Sequence, residues 1–187
     1  MGAKKYTQLI LKELLNNSDY INDEQVSDLA DLIEKSNHIF LAGAGRSGVA
    51  ITGFSNRLMH LGFSVSLVGD LTSPHSQEGD LLILGSGSGE TESLVSLAKK
   101  AKKNNVKLAT ITMDEMSSIA KIADVTVVLP GVSPKLKGKE TEITSIQPMG
   151  SAFEQLSFLT YDGLVLELMD RSGETSDSMF LRHADLE

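Results

Sequence analysis

The stretch Gly85-Ser86-Gly87-Ser88-Gly89-Glu90-Thr91 sets three hydroxyl side chains among three glycines. Glycines let the backbone curl so that several N–H groups face one anion, and hydroxyls at this spacing can surround phosphate oxygens. A helical pattern begins at Thr91, so a helix N-terminus would add its dipole to the grip. A plain turn in which Thr91 only caps that helix is the alternative. It fits less well with three hydroxyls at the end of a buried strand. The G-K-[ST] of a lysine-bearing P-loop is absent, which argues against triphosphate hydrolysis.

A second glycine loop, Gly43-Ala44-Gly45-Arg46-Ser47-Gly48, fits G-x-G-x-x-G through Gly43, Gly45 and Gly48. A dinucleotide site also needs an acidic residue closing the second strand, and Val68-Gly69-Asp70 is only a partial fit. Arg46 beside this loop has two readings: pairing with phosphate or sugar oxygens, or a surface salt bridge.

Glu154 is the candidate base. It falls in the first turn of an apolar helix, beside Phe153 and one turn before Phe158. Apolar surroundings would raise its pKa and the helix N-terminus would lower it, and the sequence leaves the sign open. A carboxylate that merely favours the helix dipole is the alternative. Glu90 and Glu92 flank the loop of Ser86 and Ser88 as helix-start charges, and Glu90 has the alternative of reaching hydroxyls of a bound ligand.

Four histidines are available as proton shuttles. His38 opens a strand and reads as structural, and His75 lies in a turn after Pro74. His60 comes near a helix end, where it stabilises the C-terminus or sits at a subunit contact. His183 lies in the tail. The lysines at 99–103 read as a solvated helix end.

The elements that must position these residues alternate. Helical spacing puts Leu9, Ile10, Leu14 and Leu15 on a helix over 6–16. Val26, Leu29, Ala30, Leu32 and Ile33 lie on the buried side of a second helix over 23–35, capped by Asn22-Asp23. Strands are expected at 38–42, 64–68, 81–84, 107–112 and 125–129. Helices are expected at 47–61, 91–103 and, briefly, 116–122. This pattern implies a mainly parallel sheet covered on both faces. Residues 130–150, with Pro134, Gly138 and Pro148, read as a long loop. A strongly apolar helix follows over 151–169, and Met179-Phe180-Leu181 is placed to dock a last short helix. The chain thus reads as one domain, 1–187: a helical hairpin at 1–36, a βα core at 37–130, and a C-terminal helix and tail at 151–187.

The 187 residues suit one core. A net charge of −8 argues against a nucleic-acid surface, and any bound anion must be held by local positive potential. No apolar run is long enough to span a membrane, and the N-terminus lacks a secretory signal's apolar core. The absence of cysteine removes disulfides, thiolate metal sites and cysteine nucleophiles, and is compatible with the cytoplasm.

On these residues the chain resembles the sugar isomerase (SIS) family. In that family a strand is followed by S-x-S-G-x-T, and a serine stands in the first glycine loop. Ser47, Ser86, Ser88 and Thr91 fall on those positions. The resemblance is closest to its small single-domain hexuloisomerase branch. It is carried by residues 43–47, Val68-Gly69-Asp70-Leu71-Thr72-Ser73-Pro74, residues 85–92, Met149-Gly150-Ser151-Ala152-Phe153-Glu154-Gln155 and the ending Arg182-His183-Ala184-Asp185-Leu186-Glu187.

The resemblance implies a three-layer α-β-α sandwich with a five-stranded parallel, flavodoxin-like sheet and extra N-terminal helices. It also implies an isomerase of the aldose–ketose type, moving a carbonyl between C3 and C2 of a hexulose 6-phosphate through a cis-enediol. The reaction belongs to the ribulose monophosphate route of formaldehyde fixation and needs no cofactor and no metal. The resemblance implies further that Ser47, Ser86, Ser88 and Thr91 hold the phosphate, with Gly45, Arg46, Gly87 and Gly89 around them and Thr72 at the sugar end. Glu154 is the implied base, and His183, ahead of His60, the implied shuttle. The implied assembly is a homotetramer whose sites lie near subunit interfaces. Two rivals remain: an arabinose 5-phosphate type of isomerase, which usually carries a further regulatory domain, and a non-catalytic phosphosugar sensor, which usually carries a DNA-binding module.

Overall fold

The computed structural model describes residues 2–136 and 143–186. Residues 137–142, with Gly138 in the long connection, and Glu187 at the end of the tail lie outside that description.

Helices α1 (Ala3–Ser18) and α2 (Asp23–Lys35) form the N-terminal hairpin. Asn22 caps α2 by accepting from the Glu24 and Gln25 N–H groups. There follow β1 (Ile39–Gly43), α3 (Gly45–His60), β2 (Val65–Leu67), β3 (Leu81–Gly85), α4 (Glu92–Lys103), β4 (Lys107–Thr112), β5 (Val125–Val128), α5 (Ser151–Ser172) and α6 (Ser176–Phe180). All strand pairs are parallel, in the order β2-β1-β3-β4-β5.

Strand residues alternate between two cores, as the pleat requires. Ile39, Leu41, Leu81, Ile83, Ala109 and Ile111 pack under α2, α3 and α5. Phe40, Ala42, Leu82, Leu84 and Leu108 pack under α4. The result is the expected three-layer sandwich, and it puts α3 and α4 on opposite faces of the sheet.

One local expectation needs correction. The helix expected over 116–122 is only a 3-10 turn at Ala120–Ile122. Asp114 accepts from the Met116 N–H, and Ser117 from that of Ala120, so side chains supply a turn in place of the helical ladder. Leu9, Ile10, Leu14 and Leu15 do lie on one helix, with Leu14 buried and Leu15 70% exposed. The last short helix is α6, docked through Met179 at 8% exposure, while Phe180 and Leu181 stay 72% and 86% exposed.

Candidate active site

The order of strands creates the crevice. From β1 the chain steps outward to β2 and then returns past β1 to β3, so consecutive helices leave toward opposite faces. Ligands in open parallel sheets sit at the carboxyl ends of strands where this reversal occurs. Here Gly43 pairs in register with Gly85, and the two glycine loops open side by side.

Gly43 and Gly48 explain much of the first loop. A Cβ on Gly43 would stand 2.8 Å from Gly48 Cα, and one on Gly48 would stand 2.9 Å from the Gly43 carbonyl oxygen. Glycine at both positions lets α3 start directly against β1, so this spacing serves close packing. It does not by itself make a dinucleotide site, and Asp70 lies exposed beyond β2.

Between the loops lies a cleft of about 570 Å³. It is lined by residues 44–47, residues 85–88 with Thr91, and Met149, Gly150, Phe153 and Glu154. Three helices therefore begin at its wall: α3, α4 and α5. The residues preceding them, Ala44, Thr91 and Gly150, give no side-chain cap to the helix. Thr91 is thus not spent on capping, and its hydroxyl remains with the cleft. Uncapped N-termini converging on one space supply positive potential in a chain of net charge −8.

Within the second loop Gly89 takes φ +60° and donates its N–H to the Ser86 carbonyl at 3.0 Å, curling the backbone as expected. A Cβ there would collide with Ser117, at 2.0 Å from its Oγ. Ser86 is 3% exposed, and its hydroxyl is buried without a hydrogen-bond partner. A buried hydroxyl left unpaired costs about 1–3 kcal/mol, and this one lines the cleft, where a polar atom can satisfy it. Ser88 is likewise buried and accepts only a 3.3 Å bond from the Glu90 N–H. Glu90 itself turns away from the cleft to accept from Ser118 N–H at 2.7 Å, a helix-start and turn role.

Glu154 reaches the same cleft from the first turn of α5 and pairs with Arg46, whose Nε donates to Oε2 at 2.5 Å. The carboxylate is 18% exposed and the arginine 64%. Arg46 thus forms an ion pair, and its partner is a carboxylate that lines the same cleft. A separation of 108 residues hides this pair from sequence. Met149 and Phe153, from the stretch that carries the resemblance, also line the cleft, as does Met113, whose isolated apolar side chain gives no signal in the sequence.

Other expected residues lie elsewhere. Thr72 is exposed on the loop after β2, the edge strand, and does not line the cleft. His60 and His183 meet each other, with ring centroids 5.3 Å apart, in a separate pocket with Arg57 and Asp162. The fifteen residue steps of α3 from Gly45 to His60 span roughly 22 Å at 1.5 Å each. Within one chain neither histidine joins Glu154. Burial, with Arg57 and His183 close by, holds the His60 pKa below its ordinary value. His38 is structural: its ring nitrogens bond Ser64 and Ser66 at 2.7 and 3.0 Å. His75 is exposed.

Comparisons with known proteins show what the chain is similar to. The family model described as SIS domain matches residues 32–159. A 3-hexulose-6-phosphate isomerase of Bacillus subtilis is 48% identical over 187 residues, covering all of both chains. One of Mycobacterium gastri is 36% identical over 96% of this chain and 88% of that protein. A Methanococcus jannaschii protein, whose crystal structure infers a molecular function of 3-hexulose-6-phosphate isomerase, superposes with TM-score 0.78 at 36% identity. That match covers 96% of this chain and 94% of the other.

Proposed function

Because the chain belongs to the SIS-domain family, we propose that it is an isomerase interconverting 3-hexulose 6-phosphate and fructose 6-phosphate. The observation that carries this reading is the cleft itself. A buried, unpartnered Ser86 hydroxyl stands among three helix N-termini, with the Glu154 carboxylate on the same wall. Full-length relatives at 48% and 36% identity bear the same enzyme name.

In the proposed mechanism Ser47, Ser86, Ser88, Thr91 and the loop N–H groups hold the 6-phosphate. Glu154 removes the proton from C2 of the 3-ulose, the electrons form a cis-enediol between C2 and C3, and the proton returns at C3 to give the 2-ulose. Arg46, bonded to Glu154, lies where it can stabilise negative charge developing on the substrate oxygens. A second group must shuttle protons between O2 and O3. Neither histidine joins Glu154 within one chain, so this reading assigns the shuttle to His183 or His60 of a neighbouring subunit. A homotetramer with shared sites is supported by the large exposed apolar side chains Leu11, Leu15, Val49, Phe158 and Leu159 on α1, α3 and α5. Among the described residues no helix is long and apolar enough to cross a membrane.

The test is one assay run in parallel on hexulose 6-phosphate, arabinose 5-phosphate and glucosamine 6-phosphate. Turnover of the first alone, at a rate unchanged by EDTA, is the expected result. Turnover of arabinose 5-phosphate, or binding of all three without turnover, would replace the reading with one of its rivals.

A further inference from the structure

Helix α1 holds the segment that leads into the cleft. Glu13, half-buried on α1, accepts from three groups of residues 145–147: Ser145 Oγ at 2.5 Å, Gln147 Nε2 at 3.3 Å and the Ile146 N–H at 3.3 Å. Ser145 Oγ in turn accepts from the Gln147 N–H at 3.0 Å, closing a small network. The chain then turns at Pro148, whose carbonyl accepts from Ser151 N–H, and Gly150 N–H bonds the Val132 carbonyl at 2.9 Å. Met149 and Gly150 form cleft wall at this point, and Glu154 follows one turn into α5.

We propose that Glu13 is a positioning residue for the reaction: it latches residues 145–147 to α1 and so fixes the approach of the cleft wall and of Glu154 to the phosphate loop. Glu13 lines no part of the cleft and touches no substrate. Its carboxylate can satisfy three donors at once, which a neutral or shorter side chain cannot. Cleft geometry then depends on it, because a displacement of about 1 Å in a catalytic group can cost on the order of 100-fold in rate. The proposal rests on Glu154 being the base.

The experiment compares Glu13→Ala, Glu13→Gln, Ser145→Ala and the Glu13→Ala/Ser145→Ala double variant with the unmodified protein. Arg171→Ala, which breaks an α2–α5 ion-pair cluster away from the cleft, supplies a structural baseline. Glu13→Ala is expected to lower kcat by about 10- to 100-fold, with KM for fructose 6-phosphate little changed. Glu13→Gln keeps one acceptor oxygen and is expected to lose less. The double variant should be no worse than Glu13→Ala alone, since both act through one network. Amide exchange at Ile146 and Gly150 should quicken in Glu13→Ala and stay unchanged in Arg171→Ala. Loss of kcat equal to that of Arg171→Ala, additive single effects, or unchanged exchange at Ile146 would each overturn the latch. Exchange is read whether or not the protein turns over, so an inactive unmodified protein counts against the isomerase reading and leaves exchange to decide the latch.

Discussion

The two ends of α3 are built to opposite rules. At its start, Ser47 and the facing Ser86 and Thr91 border a cleft where the Ser86 hydroxyl is buried without a partner. At its end, hydrogen-bonding capacity is used by the chain. Arg182 donates to the His60 carbonyl at 2.9 Å and to both oxygens of Glu174, while Thr175 and Ser178 form a capping box under the tail. His183 is thereby pinned over His60. Groups at the start stay open to a ligand, while Arg182 and Glu174 at the end close on each other and hold the tail. The two halves of the proposed reaction, base and shuttle, stand a helix length apart.

The strongest way to break this division is at Glu154. Glu154→Gln keeps the side chain's shape and is expected to lower kcat by about 1,000-fold, within the range for a positioned base. Full turnover in that variant would remove the base from the cleft end.

The next test joins the two ends. Glu154→Gln and His60→Asn proteins, each weak alone, should recover activity when their subunits are mixed by unfolding and refolding together. Each mixed assembly then contains sites with an intact Glu154 and an intact neighbouring His60. Without recovery, the histidine end takes no part in the chemistry.

Smaller effects sharpen the contrast. Ser86→Ala and Ser88→Ala should raise KM by about tenfold with little change in kcat, because the phosphate is held alike in ground and transition states. The same change at Ser178 in the tail should leave KM alone and lower the melting temperature.

The smallest expected effect is in pH dependence. The unfolded chain protonates His60 near its ordinary value of 6.5, whereas the folded chain resists to lower pH because of burial, Arg57 and His183. As pH falls below that value the unfolded state gains a proton the folded state refuses, so stability declines. Above it this contribution is constant. Melting curves from pH 8 to 5 should show the decline, and His60→Gln should flatten it. Glu174 contributes separately at much lower pH, since its bonds to Arg182 and Ser178 hold its pKa down to about 2.

Much of this was legible in the residues. The strand runs of 39–43 and 81–85 are continuous apolar stretches, and only a strand buried on both faces needs them. Ser86-Gly87-Ser88-Gly89 ends such a strand, so its place beyond the sheet followed from position alone. The expected helix over 116–122 failed because Asp114 and Ser117 satisfy the turn's N–H groups locally, a competition that periodicity does not register. Thr72 lies outside the cleft of one chain for a different reason. Its motif neighbours place it after a strand, but which strand lies at the edge is decided by pairing order.

Sequence by itself determined most element types, the glycine- and hydroxyl-rich loop and a carboxylate at the start of an apolar helix, because each depends on local spacing and side-chain chemistry. Tertiary structure decided which of them meet. Gly43 stands beside Gly85, Arg46 bonds Glu154, Glu13 holds Ser145, and His60 faces His183 away from the cleft. Those meetings follow from strand order and helix length. The free energy that fixes both comes from burying two apolar faces of one sheet, to which the site residues themselves contribute little.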